Sequence, residues 1–140
     1  MNYLKYLNRK HDYSTNNCIT LINEIYKNEL SSDIFDSFWE YAGIPEGKIT
    51  DGRAWMRRIT VETIENWAST VAKKVNLTEA QEYDVIVFKS KRALPIHFGM
   101  YIGKNRFIHL EEGRYSKIDV LNDDWREFIG SIWRQTGKNM

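Results

Sequence analysis

The chain opens on a polar, tyrosine-rich segment, residues 1 to 17, that ends in "STNN", a cluster of residues suited to capping a helix N-terminus. From there the pattern turns helical. Cys18, Leu21, Ile22, Ile25 and Tyr26 recur at helical spacing in "CITLINEIYKNEL", so they form one buried stripe that begins at the cysteine. "SDIFDSFWEYAG" predicts a second helix with Ile34, Phe35, Phe38, Trp39 and Ala42 on its apolar face, and Gly43 as a stop before Pro45. "TVETIENWASTVAKKV" predicts a third, capped by Thr60, whose face carries Val61, Ile64, Trp67, Ala68, Val71 and Val75. After residue 82 the period changes. "YDVIVFK" reads as a central strand, "HFGMYIG" and "RFIHL" as two strands around a tight turn, and "KIDVL" as an alternating strand; "EFIGSIWR" can close the sheet. Helices first and strands later predict an α+β domain, with N-terminal helices packed on a largely antiparallel sheet.

Bulk properties narrow the function classes. At 140 residues the chain fits one domain, 1–140, able to bury roughly two-thirds of its unfolded surface without a staple. No internal repeat, low-complexity tract or linker divides it. With 20 basic and 19 acidic residues the net charge is +1, which is no footprint for nucleic acid. The single cysteine rules out an intramolecular disulfide. Cys18, His11, His97 and His109 lack the close spacing of a zinc site, so neither metal nor cofactor is expected. "MNYLKYLNRKHD" holds no apolar run of signal-peptide length, and no stretch approaches a membrane span. The expectation is a soluble product made without a secretion signal, with no membrane partner.

Candidate chemistry starts at Cys18. A lone cysteine is commonly a small buried hydrophobe. This one lies in the first turn of a helix, where unpaired N–H groups and the positive end of the dipole favour a thiolate. A nucleophilic cysteine needs an imidazole to take its proton, and a polar group to orient that imidazole. "PIHFGMYIGKNRFIHL" offers His97 and His109, twelve positions apart. A two-residue turn at Lys104-Asn105 would pair His109 with Met100 and send the histidines to opposite faces. A three-residue loop, Gly103-Lys104-Asn105, pairs His109 with Gly99 and puts both on one face, with Asn105 left-handed. Gly99 would then leave room beside the pair. The plainer reading of each histidine is a half-buried strand residue with a satisfied hydrogen bond. His11, beside Asp12 in a polar segment, reads first as a loop histidine.

These residues resemble the NlpC/P60 cysteine peptidases: a cysteine opening a helix, a strand like "YDVIVFK", then "HFGMYIGKNRFIHL" with its twelve-residue histidine step. "KIDVLNDDWREFIGSIWR" is similar to the ending of the phage-tail branch. The resemblance implies a papain-like fold with residues 31–81 as a helical insertion between nucleophile helix and sheet. It implies Cys18 as nucleophile, His97 as general base and His109 as its orienting group. Tyr6, twelve positions before Cys18, matches a tyrosine that lines the site and helps hold substrate or oxyanion; Tyr3 and Tyr13 are neighbouring alternatives. The sequence departs from the family pattern at Asn17 and Ile19, where Asp and Ser are usual, and at Tyr83-Asp84, where Gly-Asp is usual.

The implied activity is hydrolysis of an amide in peptidoglycan stem peptides, between D-glutamate and a diamino acid. The setting would be a phage tail, with tail or baseplate proteins as partners, and with the host cytoplasm as location before assembly into the virion. A structural tail-tip component that keeps the fold without the activity is the alternative. Trp39, Trp55, Trp67, Trp125 and Trp133 are its candidate anchors, although Trp39 and Trp67, on their helical stripes, read first as core residues; "DGRAWMRR" is the better surface stretch. Transfer of the acyl group to an acceptor other than water is a third reading.

Overall fold

The computed structural model describes residues 2–12, 17–41, 60–89 and 96–136. The expected stop at Gly43 and Pro45, the stretch "DGRAWMRR" with Trp55, and Tyr13 lie outside them.

Asn17 starts helix α1, Cys18–Leu30. Its side chain accepts hydrogen bonds from the Ile19 and Thr20 amides, and the Thr20 hydroxyl accepts from the Asn17 amide, a reciprocal capping box. Asn17 thus replaces a charged cap without loss of the hydrogen bonds. The expected stripe is buried, and Ile19 joins it at 0% exposure. Ser31, left-handed at φ 51°, ends the helix by returning its N–H to Tyr26 O. Helix α2 is Asp36–Tyr41 and α3 is Val61–Val71, capped by the Thr60 hydroxyl on Thr63 N. Phe35, Phe38 and Trp67 pack their rings together, and the Trp67 indole N–H donates to Ser37 Oγ at 2.9 Å.

Six strands form one antiparallel sheet: β1 (Ala72–Lys74), β2 (Val85–Lys89), β3 (Ile96–Gly103), β4 (Arg106–His109), β5 (Lys117–Val120) and β6 (Ile129–Gln135), in the order β1-β6-β2-β3-β4-β5. The third helix is shorter than its apolar pattern predicts. Residues 72–74 leave it to pair with Gln135, Arg134 and Trp133, so the 31–81 segment supplies an edge strand as well as helices.

Alternation along the strands divides the core in two. Val85, Val87, Phe98, Met100 and Ile108 meet α1 and α3 in one cluster. Ile86, Phe88, Phe107, Leu121 and Ile132 form a second on the other face. That face is covered by Trp125, from the short helix α4, Asp123–Arg126, and by Phe128. Fully burying an aliphatic side chain of this size is worth about 1.5–3 kcal/mol, so α1 is held mainly by its stripe. No helix among the described residues is long and apolar enough to cross a membrane.

The β3–β4 hairpin reaches the expected register by a different route. Lys104 and Asn105 both have positive φ, 52° and 61°, which fits a two-residue turn of the primed kind. Gly103 pairs with Arg106 and Tyr101 with Phe107, so Ile102 is the extra residue of a bulge. The bulge supplies the one-residue offset assigned above to a three-residue loop. Asn105 fixes the turn, its N–H donating to the Tyr101 hydroxyl and its side chain to Leu121 O.

Candidate active site

Gly99 stands opposite His109, and Phe88 opposite His97. Both imidazoles therefore project from the same face, and they meet: His97 Nε2 lies 2.8 Å from His109 Nδ1. His109 is fully buried, and its other nitrogen, Nε2, lies 2.7 Å from Asp119 Oδ2. Sequence reasoning missed Asp119. The signal was present: in "KIDVL" the acid shares a face with Lys117, and pairing of His109 with Lys117 brings it diagonally to the imidazole. Its carboxyl is held below the usual range, first by the hydrogen bond with His109 and further by nearby Lys117, against the opposing effect of burial.

Aromatic rings wall this chain of polar groups. Phe107 lies 4.4 Å from His109 between ring centroids, Phe88 5.7 Å from His97, and Trp125 5.0 and 6.0 Å from His109 and His97. Trp125, one of the candidate anchors, packs over both imidazoles. Trp67 and Trp133 are buried in the core.

Cys18 is 3% exposed. Burial pushes the thiol up to about 11, against the opposing effect of the nearby Phe98, Cys18 and Ile19 backbone N–H groups, which favour the thiolate. Phe98 follows His97 directly, and β4 pairing ends one residue further on, at Gly99. The sulfur therefore lies against the peptide that carries the first histidine. Asn17 commits the Ile19 and Thr20 amides to the cap.

Tyr6 is buried, and its hydroxyl donates to Glu29 Oε2 at 2.6 Å. Glu29 lies eleven residues along α1 from Cys18, roughly 16 Å at the helical rise. The Tyr6 hydroxyl therefore ties down the end of α1 remote from the thiol. The Tyr3 hydroxyl is engaged by Glu82. His11 pairs its backbone with Arg114, and burial lowers its imidazole against the opposing effect of Glu112 and Asp12.

His109, Glu111 and Asp119 each bring one possible ligand atom within 4.8 Å of the others. Lys117 Nζ reaches into this group, 3.6 Å from Glu111 and 3.4 Å from Asp119. Both His109 nitrogens are in hydrogen bonds. Lys117 offsets one of the two carboxylate charges, and the imidazole is engaged at both nitrogens, so these side chains are already partnered with one another and the arrangement does not read as a metal centre.

The family description "NlpC/P60 family" matches residues 10–134. The chain is 24% identical over 126 residues to the tail tip assembly protein K of Escherichia phage lambda, covering 90% of this chain and 57% of that protein. It thus spans little more than half the length of that relative. Among solved structures, a Staphylococcus aureus protein described as similar to a lipoprotein of the NLP/P60 family aligns over 73% of this chain and 40% of that one. Its sequence identity is 18% and its TM-score 0.38.

Proposed function

We propose, on the premise that the chain belongs to the NlpC/P60 family, that it is a cysteine peptidase acting on amide bonds of peptidoglycan stem peptides, of the D-glutamyl-diamino acid endopeptidase type. The observation that carries this reading is the imidazole pair, His97 Nε2 on His109 Nδ1, backed by a carboxylate, with the Cys18 sulfur near the backbone N–H of Phe98, the residue that follows His97. In this reading His97 takes the Cys18 proton as the sulfur attacks the substrate carbonyl. The Cys18 amide, at the head of α1, stabilises the oxyanion. His97 then protonates the leaving amine, and the acyl group stays on sulfur as a thioester. Water, deprotonated by His97, releases it. Tyr6 has a structural part here, anchoring α1. The similarity to a tail tip assembly protein supports a phage-tail setting, with tail proteins as partners and the virion as location.

A second reading is an assembly component with a silent site. The observation favouring it is the buried thiol, protonated at neutral pH unless a base takes its proton. Stem peptides incubated with the purified chain and read by mass spectrometry separate the two. Cleavage by wild type, lost in both Cys18→Ala and His97→Ala, is the expected result. Products that persist in Cys18→Ala remove the nucleophile from the account, and intact substrate with wild type favours the silent site.

A further inference from the structure

The two imidazoles end on a group that, when ionised, can only accept a hydrogen bond. Asp119 Oδ2 is 2.7 Å from His109 Nε2, so that nitrogen carries the proton. A neutral imidazole has one N–H, so His109 Nδ1 presents its lone pair. His97 Nε2, at 2.8 Å, must then be the donor between the rings. That leaves Nδ1 of a neutral His97 as its basic nitrogen.

The rings alone do not choose this direction. Reversing both tautomers also places one hydrogen bond between them, with His109 Nδ1–H donating to His97 Nε2. In that arrangement the His97 proton sits on Nδ1, and no nitrogen is left to receive one from a thiol. The carboxylate breaks the symmetry, because a bare His109 Nε2 facing it would set lone pair against lone pair in a buried site.

We propose that Asp119 is a positioning residue that sets the direction of the protons through both imidazoles, making His97 Nδ1 the base. The catalytic consequence rests on the peptidase reading above; the proton direction itself does not. Titratable groups facing Asp119 are His109 from β4 and Lys117 from its own strand, with Glu111 sharing that lysine. The cation helps keep Asp119 ionised, and with it the acceptor at the end of the relay. Trp125 packs against His109 and limits the dielectric screening that would weaken the preference.

The test is nitrogen-15 NMR of histidine-labelled protein above the imidazole titration, in wild type and Asp119→Asn. Asparagine keeps the shape but can also donate, so it tolerates either direction. In wild type the expected pattern is a protonated Nε2 and a bare Nδ1 on both His97 and His109. In Asp119→Asn the reversed pattern appears beside it, and kcat on stem peptides falls several-fold with KM little changed. A wild-type His109 protonated at Nδ1 overturns the proposal, and that spectrum needs no variant to fold. Unchanged tautomers in a folded Asp119→Asn overturn it as well. Wild type that shows the expected tautomers but cleaves no stem peptide sinks the peptidase reading and leaves the proton direction standing.

Discussion

Gly99→Ala is the sharpest probe of how the site is packed. A Cβ at residue 99 would lie 2.7 Å from Phe107 Cδ2 and 3.2 Å from Phe88 Cε2. The first distance is well inside van der Waals contact, and neither ring has space to retreat. Phe107 is 0% exposed and Phe88 1%. Phe107 is held by Phe88 at 5.2 Å, Trp125 at 5.2 Å and His109 at 4.4 Å between ring centroids. Forcing an extra carbon into a packed core costs about 1–3 kcal/mol. Replacing glycine restricts the unfolded chain and returns about 0.4–1 kcal/mol. The net expectation is a loss of about 1–2 kcal/mol. With a urea dependence of about 1–3 kcal/mol/M for a small domain, the unfolding midpoint falls by roughly 0.5–1 M with an unchanged slope. Far-UV circular dichroism in a urea series measures it. The same displacement of Phe107 disturbs His109, so stem-peptide cleavage falls as well. A variant as stable as wild type, or more so, would mean that the Phe107 ring has room to move and that Gly99 is not a space-holder under the relay.

Tyr6→Phe removes the hydroxyl that Glu29 accepts from, so about 1 kcal/mol of stability is lost by urea unfolding, while stem-peptide kcat/KM stays at the wild-type value; a large kinetic loss without a stability loss would return Tyr6 to the site. Asp84→Ala strips the partner from Arg134, whose Nε and Nη2 lie 2.9 and 2.8 Å from the carboxylate, and from the Gln81 amide. Asp84 is 2% exposed but Arg134 can reach water, so no buried charge is stranded and the cost is about 1.5–3 kcal/mol, that of hydrogen bonds to a charged group, read as a urea midpoint shift. An Asp84→Ala midpoint within error of wild type would show that the pair does not hold β2 to β6.

Much of the arrangement was legible because it rests on short-range patterns. The stripe from Cys18 to Tyr26 has the helical period, and Asn17 is a good cap whatever follows. The histidine pair was legible through face alternation, although the offset comes from a bulge at Ile102 and not from a longer loop. What escaped was set by partners distant in sequence. Ala72-Lys73-Lys74 continue a helical pattern locally, and only pairing with β6 makes them a strand. Asp119 reaches His109 through the β4–β5 register, and no tight turn spells out that register. The seven residues between those strands include Ser116, whose hydroxyl and backbone are bonded back to Tyr6, Asn8 and Arg9. For Tyr6, a spacing from Cys18 carries no information on where the hydroxyl points. Glu29, at the other end of α1, decides that.

The central claim is that Cys18 works with His97. The most direct measurement is the rate of Cys18 alkylation by a small electrophile against pH, in wild type and His97→Ala. Alkylation follows the thiolate, and burial pushes this thiol up to about 11. Without an imidazole to take the proton, the rate is therefore low at neutral pH and rises about tenfold per pH unit until it levels near 11. This single high limb is expected for His97→Ala, and in wild type an added limb at lower pH, where His97 accepts the proton. Superimposable profiles, both levelling only near 11, would contradict it and leave Cys18 as a core thiol.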